Sequence, residues 1–151
     1  MHTPAMPSAP IAPPSALRVL IIDDDPIVCA EIERLLSHQY GIGEVVCISD
    51  PSRAVDEVRR RDPDVVLLDV DMRGISGLDL IAPILDADPA TKDVMLSGLS
   101  LRGNIDRALD LGAAGYLVKN LSAGAMAGYI RRAAQDELVL CPTAGAAMMQ
   151  P

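Results

Sequence analysis

Tryptophan and phenylalanine are missing from the 151 residues, and there are only three tyrosines. Half of the chain is nevertheless apolar, so a core must be built from Val, Leu, Ile, Ala and Met. Basic residues are few: 13 Lys and Arg stand against 21 Asp and Glu, a formal net charge of −8. That balance argues against direct nucleic-acid binding by this segment, because gripping phosphates needs basic patches. No apolar run approaches the ~20 residues that a membrane-spanning helix needs. The three cysteines, Cys29, Cys47 and Cys141, show no metal-ligand spacing. Cys29 and Cys47 lie inside apolar patterns and read as reduced packing residues, which fits a cytoplasmic protein. Residues 1–16 hold five prolines and no charged side chain. They lack the charged start and apolar centre of a signal peptide and read as a flexible leader.

What is present is a series of apolar strands, each followed by a helical pattern. The most telling stretch is Asp64-Val65-Val66-Leu67-Leu68-Asp69-Val70-Asp71-Met72. Four consecutive apolar residues read as a strand buried on both faces, as in a parallel sheet. Asp69 then stands at the carboxyl end of that strand, the edge where open α/β sheets place their ligands. The loop Arg73-Gly74-Ile75-Ser76-Gly77 follows.

Earlier, Arg18-Val19-Leu20-Ile21-Ile22 is a second apolar strand ending in Asp23-Asp24-Asp25. Pro26 suits the first position of a helix, with Gly41 and Gly43 stopping it later. Glu44-Val45-Val46-Cys47-Ile48 is the next strand, and Ser49-Asp50-Pro51 caps and starts a helix that Arg59-Arg60-Arg61 finishes. Past Asp69, a helix from about Ser76 contains Pro83, which should kink it or shift its boundary. Val94-Met95-Leu96-Ser97 and Gly115-Tyr116-Leu117-Val118-Lys119 are further strands, separated by a helix over 104–111 that Gly112 closes. Ser122 caps a last helix running to about Gln135. Residues 138–151 carry two prolines and a small-residue run, and read as a linker or tail.

Five strands alternating with five helices imply one α/β domain over 17–137, a doubly wound parallel sheet. In strand order 2-1-3-4-5, strands one and three are neighbours at the switch point. Asp23, Asp24 and Asp69 then meet. Carboxylates that close repel unless a cation joins them. Oxygen ligands with open water positions suit Mg²⁺. A carboxylate so placed, facing the Ser97 hydroxyl and the Lys119 ammonium, could accept a phosphoryl group.

Four motifs now stand in order: Ile22-Asp23-Asp24-Asp25-Pro26, Leu67-Leu68-Asp69-Val70-Asp71-Met72, Leu96-Ser97-Gly98, and the run from Ala108 through Gly112-Ala113-Ala114-Gly115-Tyr116-Leu117-Val118 to Lys119. Together they resemble the receiver domain of a bacterial two-component response regulator, of the NarL/LuxR type, over about residues 17–135. The resemblance implies a flavodoxin-like (βα)5 fold with Asp69 as phosphoacceptor. It implies Mg²⁺ held by Asp23, Asp24, Asp69 and the backbone carbonyl of Asp71. Ser97 would reach the phosphoryl group, Lys119 would bind its oxygen, and Tyr116 would change rotamer as the fourth-strand loop moves. Asp25 is expected to cap the following helix instead. Arg73 and Asn120 stand where many relatives have proline, and Asp71 adds a charge near the acceptor.

The implied partners are a sensor histidine kinase or phosphotransfer protein. A phosphorylation-dependent homodimer through the fourth helix, fifth strand and fifth helix is a further expectation. Regulators of this type carry a helix-turn-helix output, and the residues after Gln135 are too few for one. The chain reads as a stand-alone receiver or one cut from a longer regulator, a signalling module and not an enzyme. Two rivals are a pseudo-receiver that binds a partner constitutively and a haloacid-dehalogenase-type phosphatase. The second rests on Asp69-Val70-Asp71, but that family needs its acidic pair at a later strand end.

Overall fold

A computed structural model describes residues 16–98 and 102–149. The strands of the main sheet, apart from a short antiparallel pair of Asp71–Met72 and Ile75–Ser76, are β1 (Leu17–Ile22), β2 (Ile42–Ile48), β3 (Val65–Asp69), β4 (Lys92–Ser97), β5 (Gly115–Val118) and β6 (Val139–Leu140). The helices are α1 (Pro26–Leu36), α2 (Ala54–Arg61), α3 (Leu78–Ala87), α4 (Arg102–Asp110), α5 (Ala123–Ala134) and α6 (Pro142–Met148). All six strands run parallel in one sheet ordered β2-β1-β3-β4-β5-β6. The doubly wound α/β sheet and its 2-1-3-4-5 order are as expected, with one strand more.

The chemistry of each segment explains its place. Val65, Val66, Leu67 and Leu68 are wholly buried at the middle of the sheet. Each contributes about 1.5–3 kcal/mol of burial, which anchors the strand that ends in Asp69. Helices α1 and α5 pack together on one face, while α2, α3 and α4 follow one another on the other. Asp25 caps α1 by accepting from the backbone N–H of Ile27 at 2.9 Å and of Val28 at 3.3 Å. Ser122 caps α5 through the N–H of Ala125 at 3.1 Å. Helix α3 runs from Leu78 to Ala87 with Pro83 inside it. Two of the three arginines closing α2, Arg60 and Arg61, reach back to the buried carboxylate of Glu57.

Two expectations are corrected. Residues 138–151 were expected to be a linker or tail, yet Val139 and Leu140 pair with Gly115 and Tyr116, and α6 packs on α4 and β5. The physical reason lies in Gly115, where a Cβ would collide with the Val139 side chain. Its absence lets β6 approach, and the small residues of α6 then bury Cys141 and Ala144. Second, Cys29 and Cys47 are not separate reduced packing residues but form a disulfide between α1 and β2, with Cα atoms 5.7 Å apart. The neighbourhood of two helix and strand faces, invisible in a spacing of 18 residues, brings them together. That bond removes the cysteine argument for a reducing compartment. Cys141 is free and buried.

The leader expected over 1–16 lies outside the described residues except for Ala16, as do 99–101 of the loop after β4. No helix among the described residues is long and apolar enough to cross a membrane.

Candidate functional site

The parallel register of β1 and β3 pairs Ile22 with Leu68, so the next residues of both strands, Asp23 and Asp69, emerge at the same edge. Both carboxylates are buried, and Asp24 is half-buried beside them. One oxygen from each of Asp23, Asp24 and Asp69 falls within 4.8 Å of the others. Lys119 arrives from the end of β5, its backbone N–H held by the Ser97 carbonyl at 2.9 Å. Its ammonium lies 3.0 Å from an Asp69 oxygen and 3.0 Å from an Asp23 oxygen. The four groups line an open cleft of about 400 Å³ with Asp71, Met72 and Arg73 on its rim.

Backbone donors fix the carboxylates. The N–H of Asp25 donates to Asp23 at 2.9 Å, that of Asp71 to Asp69 at 3.2 Å, and that of Arg73 to Asp24 at 2.7 Å. Burial raises the Asp69 carboxyl to about 6, against the pull of Lys119, and the neighbouring Asp23 charge adds to the rise. For Lys119, burial pushes its ammonium down, but the bonds to Asp23 and Asp69 outweigh that and its pKa is raised. An all-oxygen donor set with open volume beside it fits a hard divalent cation such as Mg²⁺. The arrangement presents a carboxylate nucleophile, a cation site and a fixed ammonium to one volume.

The structure separates the expected residues into two groups. Asp23, Asp24, Asp69, Lys119 and the rim residue Asp71 belong to the cleft. Ser97 and Tyr116 are buried behind it, the Tyr116 hydroxyl bonding the side chains of Ser97 and Asn104. Burial raises the Tyr116 pKa, with Ser97 acting in the opposite sense.

Three contributors escaped the sequence reading. Arg73 acts through its backbone N–H, which no side-chain pattern reveals. Asn104 is an ordinary helical polar residue until the fold sets it against Tyr116. Gly77 lies so close to Asp69 that a Cβ would collide with the Asp69 carbonyl oxygen. The glycine-bearing loop was legible, but not which glycine touches the site.

Known proteins bear on this geometry. The family model described as "Response regulator receiver domain" matches residues 19–131. The nitrate/nitrite response regulator protein homolog of Haemophilus influenzae is 30% identical over 124 residues, 82% of this chain and 60% of that protein. A protein-glutamate methylesterase/protein-glutamine glutaminase of Paramagnetospirillum magneticum is 34% identical over 115 residues, 75% of this chain but 30% of that protein. A LuxR-family two-component response regulator from Aurantimonas has a TM-score of 0.82 at 23% identity, covering 89% of this chain and 96% of that one. That likeness shows the fold. The chain spans 30 to 60% of the length of these two sequence relatives.

The methylesterase/glutaminase relatives correct one expectation, that the protein is a signalling module and not an enzyme. They are enzymes by name, and the part they share with this chain is the receiver part. A receiver sequence is thus compatible with enzymatic output in these relatives.

Proposed function

Because the chain belongs to the response regulator receiver domain family, we propose that Asp69 accepts a phosphoryl group from the phosphohistidine of a sensor histidine kinase or a phosphotransfer protein. The observation that carries this reading is the Asp69 carboxylate held 3.0 Å from the Lys119 ammonium beside two further carboxylates. An Asp69 oxygen attacks phosphorus, the P–N bond breaks, and its electron pair returns to the imidazole. Lys119 shifts its hydrogen bond from the carboxylate to a phosphoryl oxygen, so a fixed positive charge meets the charge that arrives. Asp23 and Asp24, with Asp69 and the Asp71 carbonyl, would hold Mg²⁺, and a bound ion would supply charge neutralisation for the transferred oxygens. Water attack on the acyl phosphate later returns the carboxylate and releases inorganic phosphate.

The readout we propose begins at Ser97. Its hydroxyl leaves Tyr116 to bond the phosphoryl group, and Tyr116 changes rotamer in response. A partner or second copy then docks on the face of α4, β5 and α5. In the structure β6 occupies the β5 edge and α6 covers part of α4, so docking at that edge requires them to move. The phosphatase alternative is weaker, because Asp23 and Asp24 precede Asp69 and form with it the one three-carboxylate cluster among the described residues.

Incubation with acetyl phosphate and Mg²⁺ tests the reading by intact mass. A Mg²⁺-dependent gain of one phosphoryl group, absent in Asp24→Ala, supports it. No adduct, together with no binding of beryllofluoride, favours the pseudo-receiver.

A further inference from the structure

The disulfide lies directly under the acidic loop. Cys29 sits in the first turn of α1, where its backbone N–H donates to the Asp25 carbonyl at 3.0 Å. Its neighbour Val28 lines the acidic cleft. Cys47 stands on β2 opposite Ile21, one register step from the Ile22–Ile48 pair. The Ile48 carbonyl in turn accepts from the Asp23 N–H at 3.2 Å. The loop carrying Asp23, Asp24 and Asp25 therefore spans a gap whose two sides the Cys29–Cys47 bond ties together. The sulfurs differ in access: Cys29 is wholly buried, whereas Cys47 is half-buried on the edge strand of the sheet.

We infer that Cys29–Cys47 is a redox modification site, opened by dithiol reductants, that sets how firmly the Asp23–Asp25 loop is held. A thiolate of the dithiol attacks Cys47 Sγ and Cys29 leaves as thiolate, which takes a proton. The second thiol of the reductant then displaces Cys47 Sγ and closes the reductant's own disulfide. Two protein thiols form and one dithiol is oxidised. With the bond gone, α1 can move relative to β2, and Asp25 moves with it. The oxidised form keeps the acidic loop in place and takes up phosphoryl groups faster. For that last effect the inference rests on the function proposed above.

The test compares oxidised protein with the same sample reduced by dithiothreitol. Thiol titration in denaturant should find one reactive thiol before reduction, Cys141, and three after. Hydrogen exchange of the peptide spanning 23–29 should quicken at least about fivefold on reduction, with peptides of β4 unchanged. Phosphoryl uptake from acetyl phosphate should slow by a similar factor, and a Cys29→Ser/Cys47→Ser double variant should match the reduced protein with or without dithiothreitol. Three reactive thiols before reduction, or equal exchange of 23–29 in both forms, overturns the inference. If exchange responds while neither form takes up a phosphoryl group, the redox site stands and the phosphoacceptor reading fails.

Discussion

The Lys119 ammonium bridges Asp69 and Asp23 at 3.0 Å each in the acidic cleft. One cation thus offsets two buried carboxylates in the resting protein, and becomes available to a third anionic group only by exchanging one of those contacts. Removing it leaves the cluster intact but without its fixed positive charge. Lys119→Ala should slow phosphoryl uptake by about 10²–10³-fold, the usual consequence of losing one preorganised donor. Stopped-time mass spectrometry with acetyl phosphate measures this directly.

The raised pKa of Asp69 sets a pH dependence whose sign is fixed. Its carboxyl titrates at about 6 in the folded chain, above its ordinary value of 3.8. Between these values the folded state binds the proton that the unfolded state has lost. This group's contribution to stability therefore falls as pH rises from about 4 to about 6, by up to about 3 kcal/mol. Mg²⁺ should offset the loss above pH 6, adding about 2.7 kcal/mol at a concentration 100 times its Kd. Urea titrations across this pH range, with Mg²⁺ or with EDTA, separate the two effects.

Asp93 is a liability outside the site. It lies on β4, wholly buried, and neither carboxylate oxygen has a hydrogen-bond partner among the described residues. Burial raises its pKa well above the ordinary range, and the Asp88 charge adds to the rise. Folded Asp93 holds its proton more tightly than the unfolded chain does, so stability is lost as pH climbs from about 4 towards its folded pKa. Asp93→Asn should flatten that slope and raise unfolding free energy at pH 8 by about 1–3 kcal/mol. Denaturation of both proteins at pH 5 and pH 8 decides it.

Two glycines of one loop should behave differently. Gly77 has an ordinary helical φ of −57°, but an added Cβ would collide with the Asp69 carbonyl oxygen. Gly77→Ala should cost about 1–3 kcal/mol of stability and disturb phosphoryl uptake, because the displaced backbone carries the acceptor. At Gly74 φ is +74° with open space around it, so Gly74→Ala should cost about 1–2 kcal/mol while uptake is retained. Chemical denaturation and uptake rates of the two variants distinguish a close approach from backbone strain.

Much of this was legible because buried parallel strands write themselves as apolar runs. The run before Asp69 and the one before Asp23-Asp24-Asp25 marked two adjacent strand ends, and the switch-point rule joined them. Lys119 followed from the same logic two strands further on. The tail was misread because its evidence is the absence of a side chain at Gly115, which only matters once Val139 is placed beside it. The disulfide was hidden for a similar reason, since a helix residue and a strand residue share no periodicity. Arg73 contributes a backbone N–H, and sequence carries no mark of which main-chain donor will face a carboxylate.

The most direct test of the central claim is to locate the phosphoryl group. Protein treated with acetyl phosphate and Mg²⁺ is reduced with borohydride, which converts an aspartyl phosphate to homoserine, and then mapped by peptide mass spectrometry. Homoserine at position 69, and its absence from the Lys119→Ala sample at equal early times, is the expected result. Homoserine at Asp24 or Asp71, or at no position while Mg²⁺ still stabilises the fold, would contradict Asp69 as the acceptor.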